Sequence, residues 1–329
     1  MATRLETDSM GEVQLPEGAL FGAQTQRALN HAGIVPGRGM PAAFLHALAL
    51  IKAAAARANA EVTAIADAAE SVAAGQHDDA FPVPVFQTGS GTSSNMNMNE
   101  VLANLATRSL GERVHPNDEV NCSQSSNDVV PSATALAAAQ EIHATLRPAL
   151  EGLEAVLLRR GAELQAVLKT GRTHLMDAMP VTLGFELCTW AAQLQDCRQR
   201  LADLQPRLCA LPIGGSAVGT GVNVPSGYVR ALLDVLSERV GLPLTAAAQP
   251  ATRMAGQETA AECSACLRSI ALVLIKMSND LRWMNSGPLA GLGEVQLEAL
   301  QPGSSIMPGK VNPVIPEAVL MAATEVLGN

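Results

Sequence analysis

The chain has 329 residues and a net charge of −9, and it lacks the basic run or stripe that a nucleic-acid surface needs. Hydrophobic residues make up 48% of it, enough for a sizeable core, but aromatic residues only 2%, so that core must be built from Ala, Leu, Val and Met. Ala, Leu and Met of this set favour close-packed helices over sheets.

The opening MATRLETDSMGEV carries acids early and has no apolar segment, so it does not read as a signal peptide. The first 40 residues read as irregular, with a small hairpin around GEVQLPEGALFG. From Pro41 to about Gly75 apolar residues recur three and four apart, which predicts one helix. A Pro/Phe-rich loop (AFPVPVFQ) follows, then the polar run TGSGTSSNMNMNE and a helix to about Ser109. A second polar stretch, HPNDEVNCSQSSND (115–128), leads to Pro131, a good first-turn residue for a very long helix in which Pro148 marks a bend. Further helices are expected over about 180–206, 225–240 and 252–286, with Gly/Pro clusters between them and almost no strand signal.

The most apolar helical stretch, SIALVLIKM (269–277), is interrupted by Lys276 and preceded by Arg268, and it is too short to span a bilayer. A cytoplasmic protein is therefore expected. Six cysteines are scattered along the chain. Cys263 and Cys266 form a CxxC inside a helical register without a second pair at zinc-ligand spacing, so they read as buried reduced thiols. The fold expected is mainly α: a smaller, mostly helical N-terminal domain over 1–130, then a bundle of long helices over 131–329. Long helices apolar over much of their circumference need partners, which predicts an oligomer.

Four polar islands break this background: 88–97 (TGSGTSSNMN), 115–128, 171–177 (GRTHLMD) and 303–312 (GSSIMPGKVN). Helix caps account for one or two Ser, Thr or Asn residues at a time, not for runs of six. Hydroxyls, amides and the N–H groups of Gly-rich loops suit carboxylate oxygens, and Lys310 and Arg172 add cations, so a small dicarboxylate fits this set best. GSGTSS is not a dinucleotide fingerprint. GSSIMPGKV has five residues between Gly303 and Gly309, and Val311 where a phosphate loop needs Ser or Thr. His174, flanked by Arg172, Thr173 and Asp177, is an acid/base candidate. Ser304 and Ser305 have no local base, which argues against a hydrolase nucleophile.

Taken in order, TGSGTSSNMNMNEV, VHPNDEVNCSQSSND, GRTHLMDAMPVTLG, GGSAVGTGVN and GSSIMPGKVNPVIPE resemble the fumarase/aspartase superfamily over essentially the whole chain, and GSSIMPGKVNP is its signature loop. TGSGT and SSND resemble the class II fumarases more than the aspartases. The resemblance implies reversible hydration of fumarate to L-malate, with neither metal nor organic cofactor, by a homotetramer whose active sites are each shared by three subunits. It implies that Ser304 is the base and that His174, oriented by Glu317, acts through a water on the hydroxyl side. Lys310 and Asn312, with Ser305, would hold the substrate carboxylate beside the developing carbanion. Ser90, Gly91, Thr92, Ser125, Ser126, Asn127 and Thr173 would bind the remaining oxygens, and His115, Pro116, Asn117 and Asp118 match a secondary dicarboxylate site.

Against that family the chain looks C-terminally truncated, lacking the last core helix and a small C-terminal domain. Cys122 stands where the family commonly has Lys, and Thr252 about where it has Glu. Two alternatives stay open: an aspartate ammonia-lyase-like enzyme, and a non-catalytic fragment or paralogue that only oligomerises.

Overall fold

The computed structural model describes residues 2–32, 38–59 and 63–329. In chain order its elements are β1 (Thr3–Asp8), β2 (Gly11–Pro16), α1 (Ala23–Ala32), α2 (Ala42–Ala58), α3 (Thr63–Ala73), α4 (Thr92–Leu110), α5 (Ser126–Glu141) and α6 (Arg147–Glu163). There follow β3 (Leu168–Thr173), β4 (Met176–Thr182), α7 (Leu183–Leu208), β5 (Ala210–Leu211), α8 (Tyr228–Val240), β6 (Thr245–Ala246), α9 (Pro250–Ala255), α10 (Glu258–Met284) and α11 (Val314–Gly328). Mainly α architecture follows from the alanine- and leucine-rich periodicity, as expected.

Two compact units form. One comprises Met1–Glu141 with Gln205–Thr259, the other Ile142–Leu204 with Ala260–Asn329. In the first, α2 is buried from Phe44 to Ala56 except at the half-exposed His46, and it packs on α3, α5 and α8. Its alanines let neighbouring helices approach closely, and Ile65, Ala69 and Val72 of α3 close against them. The second unit carries the long helices α6, α7 and α10, with Leu157, Trp190, Leu194, Leu201, Ile270 and Met277 buried.

Three local expectations change. The single helix over 41–75 is two, α2 and α3, because a rod apolar on so many faces buries more surface by folding back on itself. Residues 60–62 of that stretch lie outside the described residues, as do 33–37 of the segment read as irregular. The helix around Pro131 starts earlier, at Ser126, so Pro131 lies inside it and removes the ordinary bond to the Asn127 carbonyl. The helical run is interrupted not at Pro148 itself but by a widened turn over Ile142–Leu146, just before Pro148 in the first turn of α6.

Strands exist where few were expected. β1 pairs antiparallel with β2, which turns part of the N-terminal stretch read as irregular into a hairpin. β3 pairs antiparallel with β4, with a bulge between Thr170 and Arg172, and β5 lies parallel to β6. Gly171 sits at that bulge, where a Cβ would come within 2.6 Å of the Met179 carbonyl oxygen.

Candidate active site

In the first unit, two of the polar islands start helices. Thr92 opens α4 and Ser126 opens α5, so both present helix N-terminal N–H groups and favourable partial charge to an anion. Ser90 Oγ and Thr92 Oγ1 are 3.0 Å apart. Gly91 between them has φ 70°, and a Cβ there would lie 2.7 Å from Cγ1 of Val130 on α5. Glycine is what lets the two islands approach.

The second island is fastened from beneath. Asp128, fully buried, accepts from the N–H groups of Ser125 (2.9 Å), Gly214 (3.0 Å) and Ser216 (2.9 Å). Burial pushes its carboxyl above the usual range, against the pull of those N–H groups and of Lys52. Asn127 donates to the Ala217 carbonyl at 2.8 Å, and its N–H to Ser125 Oγ at 3.2 Å. The Gly-rich stretch 213–221 is thus tied to the SSND island at three points. Asn95 donates to Ser126 Oγ at 3.0 Å.

His115 Nδ1 accepts from the N–H groups of Asn117 (3.3 Å) and Asp118 (3.1 Å), with Pro116 opening the turn between them. His115, Pro116 and Asn117 border a cavity of about 620 Å³ that also meets Glu6, Asp8 and Glu100. Each of those acids is already engaged: Glu6 by Arg4, Asp8 by Arg27, and Glu100 by the N–H groups of Gly22, Gln24 and Thr25.

In the second unit, Thr173 and His174 stand at the tip of the β3–β4 hairpin, both exposed. His174 and Leu175 have φ 53° and 62°, the left-handed pair that a two-residue hairpin turn requires. A histidine in that conformation is strained, and strain of this kind gathers at functional positions. The signature loop closes on itself: Pro302 bridges Val311, the Gly303 N–H donates to the Lys310 carbonyl at 2.7 Å, and Asn312 Nδ2 donates to the Gly303 carbonyl at 3.0 Å. Ser304 Oγ accepts from the N–H groups of Ile306 (3.3 Å) and Met307 (3.2 Å). Ser305 and Lys310 are exposed, as is Glu317 in the first turn of α11.

Among the described residues, no hydrogen bond or ion pair joins His174 to Glu317 or to Ser304 within one chain. Arg172, expected as a substrate cation, is instead held by Glu294 through two hydrogen bonds of 2.7 and 2.5 Å, with Lys169 bridging Glu294 and Glu186. Among the described residues no group of three or more His, Cys, Asp or Glu could hold a metal ion. None of the six cysteines is in a disulfide, and burial pushes Cys197, Cys209 and Cys263 up, away from reactive thiolates.

Sequence reasoning missed Lys52 and Asn99, which lie under the second island, and assigned no role to Asn95 and Asn121, which belong to the first and second islands themselves. The available signal was Lys52 itself, a lone cation inside the apolar run ALALIKAAAA.

Comparison with known proteins gives concordant matches. The lyase family model matches residues 11–328. The class II fumarate hydratase of Xylella fastidiosa (strain 9a5c) is 52% identical over 99% of this chain and 70% of its own length. That of Mycobacterium tuberculosis (strain H37Rv) is 50% identical over the same shares, 99% and 70%. Among solved structures, the class II fumarase of Schistosoma mansoni superposes with a TM-score of 0.94 at 38% identity, covering 99% of this chain and 74% of that one. Fumarate lyase:delta crystallin from Brucella melitensis gives 0.89 at 40% identity, covering 99% and 77%.

Proposed function

The chain belongs to the lyase family, on the side of the class II fumarate hydratases, and we propose that it catalyses the reversible hydration of fumarate to L-malate through the residues described above. The observation that carries the activity is identity of 52% with such a hydratase over 99% of the chain. Read from malate, a proton leaves the carbon next to one carboxylate, and hydroxide leaves the neighbouring carbon from the opposite side. The first carbon is a weak acid, so the reaction depends on fixed donors for the charge that spreads into its carboxylate.

Ser304 takes that proton. Its oxygen already receives two backbone N–H groups, which favour the alkoxide over the hydroxyl. Lys310 and Asn312, with Ser305, hold the aci-carboxylate. His174, oriented by Glu317, delivers the proton to the departing hydroxide through a water. Thr173, Ser90, Gly91, Thr92, Ser125, Ser126 and Asn127 bind the other oxygens, with the starts of α4 and α5 behind them. His115, Pro116, Asn117 and Asp118 form a secondary dicarboxylate site. The assembly is a homotetramer in the cytoplasm whose active sites draw on three subunits. What supports the shared site is that His174 and Glu317, partners in this scheme, make no bond to each other within one chain. No described helix is long and apolar enough to cross a membrane.

The test is to size the purified protein by light scattering and follow the ultraviolet absorbance of fumarate from L-malate and, separately, L-aspartate. A tetramer that forms fumarate from malate alone is expected. A tetramer that forms it from aspartate alone would transfer the chain to ammonia-lyase chemistry.

A further inference from the structure

Lys52 on α2 is 0% exposed, and its ammonium donates to Asn121 Oδ1 at 2.9 Å. The same oxygen accepts from Nδ2 of Asn95 (3.2 Å) and Nδ2 of Asn99 (3.1 Å), both on α4. The amide of Asn95 also donates to Ser126 Oγ at 3.0 Å, at the start of α5. A chain of bonds therefore runs from a buried cation to a hydroxyl of the second polar island.

The direction of that chain has two sources: the Lys52 ammonium at one end of the Asn121 amide and, at its other end, the Gln124 carbonyl, which accepts from Asn121 Nδ2 at 3.2 Å. Ammonium has donors and no acceptor, whereas an asparagine side chain can turn either end toward a neighbour, and a hydroxyl both donates and accepts. Facing Lys52, Asn121 must present its oxygen. Facing that oxygen, Asn95 must present its nitrogen. Receiving an N–H from Asn95, Ser126 Oγ acts as acceptor on its buried side, which leaves its proton to donate elsewhere. Oδ1 of Asn95 and Oδ1 of Asn99 are buried without a hydrogen-bond partner, a local cost that this arrangement carries.

We propose that Lys52 is a positioning residue for the dicarboxylate site: as a donor-only group it holds, together with the Gln124 carbonyl, the polarity of the Asn121–Asn95–Ser126 chain, so that the Ser126 hydroxyl is committed to donating to a substrate carboxylate. This rests on the fumarate hydratase reading for the identity of the ligand. Lys52 does not touch substrate. Without it the Asn121 amide is held by the Gln124 carbonyl alone, and Asn95 is freer to turn its oxygen to Ser126, which then spends its proton there.

The experiment compares wild type, Lys52→Met, Ser126→Ala and the double variant for KM and kcat with L-malate, and for succinate affinity by calorimetry. Both are measured in buffer below pH 7, where Lys52 keeps its proton. Lys52→Met is expected to raise KM and the succinate Kd by about tenfold, the worth of one hydrogen bond to a charged group, with kcat changed much less. In the Ser126→Ala background the same substitution is expected to add almost nothing. Lys52→Gln, which fills the space and keeps a reversible donor, should give an intermediate shift, and it serves if the Met variant does not assemble. Unchanged succinate affinity in a folded Lys52 variant, or an equal loss in the Ser126→Ala background, would overturn the proposal. Wild type that binds succinate but does not turn over malate would count against the functional reading while the succinate comparison still judges Lys52.

Discussion

Arg172 grips Glu294 with two parallel hydrogen bonds of 2.7 and 2.5 Å, two residues before His174 at the hairpin tip. The pair anchors the hairpin to the segment that leads into the signature loop. Arg172 holds the Glu294 carboxyl below its ordinary value, with Lys169 adding to the effect. A depressed carboxylate contributes stability above its unfolded pKa and loses it as pH falls through the folded one. Glu294→Gln should therefore lower stability by about 1–2 kcal/mol at neutral pH, the pair being partly open to solvent, and by progressively less below about pH 4.5. Urea unfolding of both proteins across that range checks it.

Lys52 should leave its own mark on stability. Burial pushes its ammonium down to about 7, with Asp128 opposing. The unfolded chain therefore binds more protons than the folded one between that value and the ordinary lysine range, so stability rises with pH there. Between about pH 7 and 8.5 this amounts to roughly 2 kcal/mol, and Lys52→Met should remove that slope. Parallel denaturant titrations at the two pH values measure it.

His174 has φ 53°, a conformation that asparagine tolerates better than most residues. His174→Asn should keep the hairpin and lose the acid/base group, lowering turnover on the order of 100- to 10,000-fold. Ser304→Ala should lose turnover at least as severely with unchanged circular dichroism, because its loop is largely solvent-facing. Normal kinetics in either variant would remove that residue from its role.

At Gly91, φ 70° and the 2.7 Å approach to Val130 leave no room for a side chain. Gly91→Ala should cost about 1–3 kcal/mol and raise KM, since the first island must shift away from α5. Gly91→Ala combined with Val130→Ala should recover part of the KM, which steady-state kinetics can test.

Much of the helical fold was legible because α2, α7 and α10 carry apolar residues at helical spacing. The β3–β4 hairpin was not, because Leu168, Met176 and Met179 are exposed alongside its polar residues and no buried face imposes alternation. The islands could be read from their density of Ser, Thr, Asn and Gly. Their fastening could not: Lys52 finds Asn121 across 69 positions and Arg172 finds Glu294 across 122, and pairing over such distances leaves no local pattern.

The most direct test converts fumarate in deuterium oxide and reads the malate formed by proton NMR. Anti addition with one base predicts malate carrying a single deuteron at one of the two methylene positions, formed by the wild type and lost in Ser304→Ala. Absence of malate from an assembled wild-type tetramer, or deuterium spread over both positions from the first turnovers, would contradict it.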